Sequence, residues 1–261
     1  MSGIAFHQSR VPGTGPVPVA CRSMSTASTG TGLHTVRETV AVGHLSLTIV
    51  RPRSAEDLIS EEEYAVDERL PYWAELWPSA RVLAEEMARR RPAGLRVLEL
   101  GCGLGLPSVA ALAAGARPLA TDWYDVALRF AECNARRATG REIETMLVDW
   151  RDPPAALLER APFDLVIGAD VLYEPRNGAA LAALVPRLVP PGGELLITDP
   201  RRPDAVHLLE PLSDAGWAHE QEDITYSGRR DESGSIVRLH RLRAPLKAGG
   251  TGTDRHGAGS R

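Results

Sequence analysis

The feature that most constrains the fold is an alternation of short apolar runs and helical patterns over residues 95–216. The first apolar run, LRVLEL (95–100), passes through the glycine-rich stretch GCGLG into the helical pattern LPSVAALAA (106–114). Four more strand-like runs alternate with helical patterns, at 116–121, 143–148, 163–169 and 194–198. Such alternation is typical of a parallel sheet covered on both faces, with right-handed crossovers. The sequence therefore predicts an α/β fold with a doubly wound, mostly parallel sheet.

The segments on either side of this alternation predict antiparallel additions. Residues 35–52 hold two β-rich runs around Gly43-His44, which predicts an N-terminal hairpin. Two extended runs, 217–226 and 235–243, predict a final antiparallel strand pair, which brings the sheet to seven strands. A helical apolar pattern begins after Trp77, with Ser79 as its predicted N-cap.

The two ends of the chain differ in composition from the middle. Residues 1–33 and 247–261 are rich in small and polar residues and lack periodicity, so we expect two disordered tails. Residues 34–246 then form one domain, in which 34–78 supplies the hairpin and a segment that covers the cofactor. Met24 is an alternative start to Met1.

Charge and cysteine content limit the possible binding partners and the cellular compartment. The formal net charge is −4 and the pI about 6.0, which gives no signal for nucleic acid or an anionic membrane. Three widely spaced cysteines suggest a reducing compartment and have no metal-site spacing, so no metal is expected. No apolar run approaches the roughly 20 residues of a membrane span, and the N-terminus has no signal-peptide pattern. We expect a cytoplasmic monomer.

In a doubly wound sheet, ligands bind beyond the carboxyl ends of the strands. The first strand is followed by Gly101, Gly103 and Gly105, in a loop that enters a helix whose N-terminal N–H groups are free. The dinucleotide fingerprint requires a further glycine where this chain has Leu106, which argues against a nicotinamide oxidoreductase. A tight turn without a ligand is the structural alternative.

The second and third strands also end in candidate binding residues. Asp122 lies 21 residues after Gly101, where a carboxylate can accept both ribose hydroxyls, although an aspartate after a strand is also a common helix cap. Trp150, in VDWRDP, is an aromatic that can flank an adenine ring or belong to the core.

The fourth strand ends in GADVLYEP. Asp170 and Tyr173 are three residues apart and would point to one side if the segment were helical, where they could position a nucleophile. The alternative is that Asp170 caps a turn while Tyr173 packs inward. After the fifth strand, Asp199, Arg201 and Arg202 either shape the substrate entrance or form a solvated loop.

One polar residue lies on an otherwise apolar helical face. Asn134 is seven residues after Ala127, and a buried amide needs hydrogen-bond partners. We expect Asn134 to bind a neighbouring loop rather than to act in catalysis.

These motifs together resemble a known family. VLELGCGLG, the acid at Asp122 and the seven-strand pattern resemble the class I S-adenosylmethionine-dependent methyltransferases, which have a Rossmann-like fold. PYWAELWPSA (71–80), DW (149–150) and GADVLYEP narrow the resemblance to the seven-β-strand protein-lysine methyltransferases. The resemblance extends over roughly residues 35–243.

The resemblance implies S-adenosyl-L-methionine as cofactor and assigns roles to particular residues. Asp170 and Tyr173 match the motif that lies near the substrate amine. Trp77 would cover the methionine end of the cofactor, and Trp73 would pack beneath it or line the substrate channel. The implied cofactor-binding residues are Trp77, Glu99, Gly101, Cys102, Gly103, Gly105, Asp122, Trp150 and Ala169.

The expected activity is methyl transfer to an amine, with a protein lysine as the leading acceptor. A small-molecule acceptor and a catalytically inactive cofactor-binding scaffold are the alternatives.

Overall fold

The structure is a computed structural model, and it describes residues 34–54, 58, 71–227 and 234–246. Both predicted tails lie outside the described residues, as does most of the acidic segment that follows the hairpin. The predicted domain boundaries therefore remain a prediction.

The helices and strands alternate along the chain as the sequence predicts. Their bounds are β1 (Thr35–Val42), β2 (Leu45–Pro52), α1 (Pro78–Arg90), β3 (Arg96–Leu100), α2 (Leu106–Ala113), β4 (Arg117–Asp122), α3 (Asp125–Thr139), β5 (Glu144–Leu147), α4 (Ala155–Glu159), β6 (Leu165–Ala169), α5 (Pro175–Leu188), β7 (Glu194–Asp199), α6 (Val206–Asp214), β8 (Ala218–Tyr226) and β9 (Ser235–Arg243).

The main sheet has seven strands in the order β5-β4-β3-β6-β7-β9-β8. Strands β5, β4, β3, β6 and β7 pair in parallel, whereas β9 is antiparallel to both β7 and β8. The direction of strand addition reverses at β3. Strands β4 and β5 are added on one side of β3, and β6 and β7 are added on the other side. A crevice opens at such a point, beyond the carboxyl ends of the strands. The predicted fold class is confirmed.

The central strands are apolar because helices cover both of their faces. Leu98 in β3, Val166 and Ile167 in β6, and Leu196 in β7 are fully buried. This buried layer holds the strand ends at fixed positions, and the residues that follow those ends are fixed with them.

The N-terminal hairpin is a separate two-stranded sheet, and Asn134 joins it to the main domain. The Asn134 side chain accepts a hydrogen bond from the Val50 amide at 2.7 Å and donates to the Val50 carbonyl at 3.1 Å. It also donates to the Leu104 carbonyl in the glycine loop at 2.9 Å. Asn134 is fully buried and therefore has the structural role that the sequence predicts.

One local prediction is wrong, and one short helix was not predicted. Ser79 does not cap α1: the helix begins at Pro78, the N-cap residue is Trp77, and no side chain makes a cap hydrogen bond. Pro78 can start the helix because the first helical N–H has no intrahelical partner, and this places Ser79 inside the helix. The short helix α4, preceded by Pro153 and Pro154, was not predicted because five residues are too few to show a period.

Candidate active site

A cavity of about 400 Å³ lies at the carboxyl ends of the strands. This volume is within the roughly 300–1,000 Å³ of typical small-molecule sites. Its walls come from the glycine loop, the residues after β4, β5, β6 and β7, the first turns of α5, and a segment over the loop, Tyr72–Trp77. Ten of the eleven predicted site residues line it: Trp77, Glu99, Gly101, Cys102, Gly103, Asp122, Trp150, Ala169, Asp170 and Tyr173.

The eleventh residue, Gly105, lies behind the cavity and has a packing role. Its φ is +78°, and a Cβ added there would lie 2.7 Å from the Cβ of Ala131 in α3. Only glycine allows this approach between the loop and α3. Gly105 is also the N-cap residue of α2, so it fixes where that helix begins.

The Asp122 carboxylate binds the backbone of the glycine loop. Its Oδ2 accepts a hydrogen bond from the Gly103 amide at 2.8 Å, and its Oδ1 accepts one from the Tyr124 amide at 2.9 Å. The Trp123 amide is a third backbone donor to this carboxylate, which has about four acceptor sites, so it keeps capacity for a ligand hydroxyl. Burial raises the pKa of Asp122, and the backbone hydrogen bonds oppose this shift.

Glu99 is a second buried carboxyl group, at the end of β3. Its Oε2 accepts a hydrogen bond from the Ser108 amide in the first turn of α2 at 2.9 Å. Burial raises the pKa of Glu99 to about 8. Burial likewise raises the pKa of the neighbouring Cys102 thiol, which therefore stays protonated near neutral pH.

The segment PYWAELW covers the glycine loop, as the sequence predicts. A Cβ added to Gly103 would lie 3.1 Å from the Trp73 carbonyl oxygen. The Trp73 ring packs toward α3, with its centroid 5.5 Å from that of Phe130. Trp77 is 38% exposed at the cavity, and its indole N–H donates to the Tyr72 carbonyl at 2.9 Å.

Two tryptophans face the region of Asp122, and the sequence predicted only one of them. The Trp150 ring lies across the loop, 3.1 Å from the position of a Gly101 Cβ, and its buried indole nitrogen has no hydrogen-bond partner among the described residues. Trp123 also lines the cavity and is 41% exposed, with the Arg151 guanidinium 5.2 Å above its ring. Its position directly after Asp122 was the signal available in the sequence.

The segment after β6 is not helical, so the condition under which Asp170 and Tyr173 were expected to point to one side is not met. Asp170 has φ +55° in a turn, and α5 begins only at Pro175. Asp170 and Tyr173 nevertheless both line the cavity. Tyr173 stacks edge-on against Tyr72 of the covering segment, with 5.6 Å between the ring centroids. Tyr72 was missed because a lone exposed tyrosine has no sequence signature.

The three charged residues after β7 have different environments. The Arg202 Nε donates to Asp170 at 2.8 Å, and Arg202 lines the cavity. Arg201 binds Asp223 on β8 at the surface. Asp199 is fully buried. Burial raises the pKa of Asp170, and the Arg202 guanidinium opposes that shift.

These features fit S-adenosyl-L-methionine. Asp122 has acceptor capacity left for a ligand hydroxyl, and Trp123 and Trp150 supply aromatic surface in the same cavity. Gly101 and Gly103 bring backbone without side chains to the cavity wall. The fold and this cavity together define the class of S-adenosylmethionine-dependent methyltransferases.

A sequence profile of the lysine methyltransferase family matches residues 70–209, more than half of the chain. The chain belongs to this family, and the predicted enzyme class and cofactor are confirmed.

Curated relatives are similar over part of their length. The chain is 30% identical to the histone-arginine methyltransferase METTL23 of Xenopus laevis over 110 residues, which cover 41% of this chain and 47% of that protein. It is 28% identical to the electron transfer flavoprotein beta subunit lysine methyltransferase of Xenopus laevis over 166 residues, 60% of this chain and 65% of that protein. The chain spans about half the length of the METTL23 relatives that it matches.

Solved structures share the fold. The N-methyltransferase NodS from Bradyrhizobium japonicum WM9, in complex with S-adenosyl-L-homocysteine, has a TM-score of 0.50 and 19% identity. The match covers 73% of this chain and 95% of NodS. Among the residues that the structure describes, no helix has the length and apolar character to cross a bilayer.

Proposed function

We propose that the protein transfers the methyl group to the side-chain amine of a protein lysine. The observation that carries this proposal is the meeting of Asp170, Tyr72 and Tyr173 in the cofactor cavity. A carboxylate and aromatic faces are the groups that attract an ammonium ion. The family description and the electron transfer flavoprotein relative support a lysine acceptor, and the histone-arginine methyltransferase relative supports a protein acceptor.

We further propose that Asp122 binds the ribose and that Trp123 or Trp150 contacts the adenine. Gly101, Gly103 and Cys102 offer backbone and little bulk, Glu99 faces the cofactor, and Trp77 closes the cavity. Ala169 lies at the end of β6, between this part of the cavity and Asp170.

When bound, the cofactor supplies a sulfonium methyl group with its own leaving group. The residues of the chain supply position, which can lower such a barrier by about 7–11 kcal/mol. A lysine amine has a reference pKa near 10.4 and must lose a proton before it attacks. Because Arg202 already pairs with Asp170, this carboxylate is better suited to orient the amine than to act as a free base.

The test is to incubate the protein with a cell lysate and cofactor that carries an isotopically heavy methyl group. We expect a labelled protein whose modified residue is lysine by mass spectrometry. Label on arginine would overturn the lysine assignment, and label only in low-mass products would favour a small-molecule acceptor.

Two variants locate the roles. Asp122→Ala should weaken cofactor binding by about 1–3 kcal/mol, because it removes an acceptor of buried hydroxyls. Asp170→Asn keeps the shape of the side chain and tolerates the positive φ, so it should spare cofactor binding and slow transfer. Calorimetry with S-adenosylhomocysteine measures the first effect, and the rate of labelling measures the second. Normal labelling by Asp170→Asn would disprove the placement of the acceptor.

A further inference from the structure

A chain of side-chain contacts runs from the exposed face of β8 to the acceptor end of the cavity. The Nε2 atom of His219 lies 3.0 Å from the Nδ1 atom of His240 on β9, and the two rings are stacked. The Nε2 atom of His240 lies 3.0 Å from the Oδ2 atom of Asp199 at the end of β7. His240 is 2% exposed and Asp199 is fully buried.

The other oxygen of Asp199 continues the chain toward the cavity. Asp199 Oδ1 accepts a hydrogen bond from the Arg202 amide at 2.7 Å, which closes a turn over residues 199–202. The Arg202 Nε then donates to Asp170 Oδ1 at 2.8 Å. The Asp170 amide in turn donates to the Thr198 carbonyl, the residue before Asp199, at 2.7 Å. The end of β7 therefore holds both the backbone of Asp170 and its guanidinium partner.

We propose that His240 and Asp199 are positioning residues for methyl transfer: they fix the backbone of Arg202, which aims its guanidinium at Asp170. This inference rests on the proposed function, because it concerns the acceptor end of the cavity. With Asp199 ionised, the His240 Nε2–H donates to it, and the His240 Nδ1 accepts from the His219 Nε2–H.

The contacts orient groups but do not form a proton wire. A guanidinium stays charged near neutral pH, and the link between Asp199 and Arg202 is a backbone amide, which does not exchange protons in a turnover. The proton that an acceptor ammonium loses must leave by another route. What the chain can transmit is geometry, and a displacement of about 1 Å can slow an enzymatic step by about a hundredfold.

Two substitutions at His240 distinguish the effect of its N–H donor from the effect of its side-chain volume. His240→Gln keeps an N–H donor near the position of Nε2, whereas His240→Leu has similar volume and leaves Asp199 Oδ2 buried without a donor. In His240→Leu the Asp199 carboxylate loses the donor that orients it, and its bond to the Arg202 amide loosens. His219→Leu is the matched control, because it removes an exposed histidine from the outer end of the same chain.

The first readout needs no acceptor. In ¹H–¹⁵N spectra of the full chain saturated with S-adenosylhomocysteine, the Arg202 Nε–H signal is identified by its loss in Arg202→Lys. We expect this signal to exchange slowly with solvent in the wild type, in His240→Gln and in His219→Leu, and to shift and lose protection in His240→Leu. An unchanged signal in His240→Leu would overturn the proposal.

The second readout is the rate of lysate labelling. We expect His240→Leu to lower it by about ten- to a hundredfold and His240→Gln to restore it, with cofactor affinity unchanged in both. A changed Arg202 signal with normal labelling would refute the positioning role. If the wild type labels nothing, the proposed function fails, while the Arg202 signal still tests the contact chain.

If His240→Leu does not fold, a comparison of two arginine signals within the wild-type protein tests the proposal. Arg201 also binds a carboxylate through its Nε, at 3.1 Å, but on the exposed surface. We expect the Arg202 Nε–H to exchange more slowly than the Arg201 Nε–H. Equal exchange of the two would show that Arg202 is not held, and the proposal would be wrong.

Discussion

The two ends of the cavity are built in different ways. At the cofactor end, the buried carboxyl groups of Glu99 and Asp122 bind backbone amides of the adjacent loop and helix. At the acceptor end, Asp170 pairs with a guanidinium from the turn after β7 and shares the cavity with aromatic rings from two separate segments. The first end is mostly local in sequence, and the second is assembled from residues far apart. We expect substitutions at the cofactor end to lower the stability of the fold more than substitutions at the acceptor end do. Substitutions at the acceptor end should change the rate of methyl transfer.

The largest expected effect tests the buried acid at the cofactor end. The pKa of Glu99 is raised from 4.5 to about 8, so the folded state binds a proton that the unfolded state releases between these pH values. Stability should therefore fall as pH rises through this window, by on the order of 5 kcal/mol at 1.36 kcal/mol per pKa unit. Glu99→Gln keeps the acceptor for Ser108 and should lose this slope.

Urea unfolding of both proteins from pH 5 to pH 8 measures the difference. Equal slopes for wild type and Glu99→Gln would show that Glu99 is ionised in the folded protein.

A smaller effect tests the close approach of the glycine loop to α3. In Gly105→Ala the new Cβ meets Ala131 at 2.7 Å with φ at +78°, so we expect a loss of about 3 kcal/mol from strain and overpacking. Gly140→Ala is the control: its φ is +70°, but no atom lies within 4 Å of the new Cβ. It should cost about 1 kcal/mol. Thermal unfolding of both variants checks the contrast, and similar losses would mean that contact with Ala131 is unimportant.

The smallest effect separates the two adjacent arginines after β7. Arg202→Ala leaves the largely buried Asp170 without its cation and should cost about 1–3 kcal/mol of stability, with a further rise in the pKa of Asp170. Arg201→Ala removes an exposed pair and should leave the melting temperature unchanged. A melting temperature that falls equally in both would show that the burial of the Asp170–Arg202 pair adds no stability over an exposed pair.

The same contrast explains which parts were predictable. The strands, the glycine loop and Asp122 follow from periodicity and from the geometry of a turn, which are local. The relation of Asp199 to His240 was not predictable, because the two residues are 41 positions apart and meet only through the pairing of β7 with β9. Ser79 was misassigned because Pro78 at the first helical position shifted the helix start.

The acceptor end shows a second limit. A helical segment would have pointed Asp170 and Tyr173 to one side, but the segment is a turn. The conclusion still held because the end of β6 fixes their location, whatever the local conformation. Tyr72 was missed because exposure of an aromatic side chain has no local sequence pattern, whereas Trp123 could have been found from its position directly after Asp122.

The hydrogen bonds of Asn134 to the hairpin and to the glycine loop limit how far the polypeptide can be shortened. Val50, which Asn134 binds, and His240, which binds Asp199, both lie outside residues 70–209, where the family profile matches. A fragment limited to that stretch would leave the Asn134 side-chain oxygen and the Asp199 Oδ2 atom without the donors that they have in the full chain. The smallest fragment that folds cooperatively must therefore extend beyond residues 70–209 in both directions.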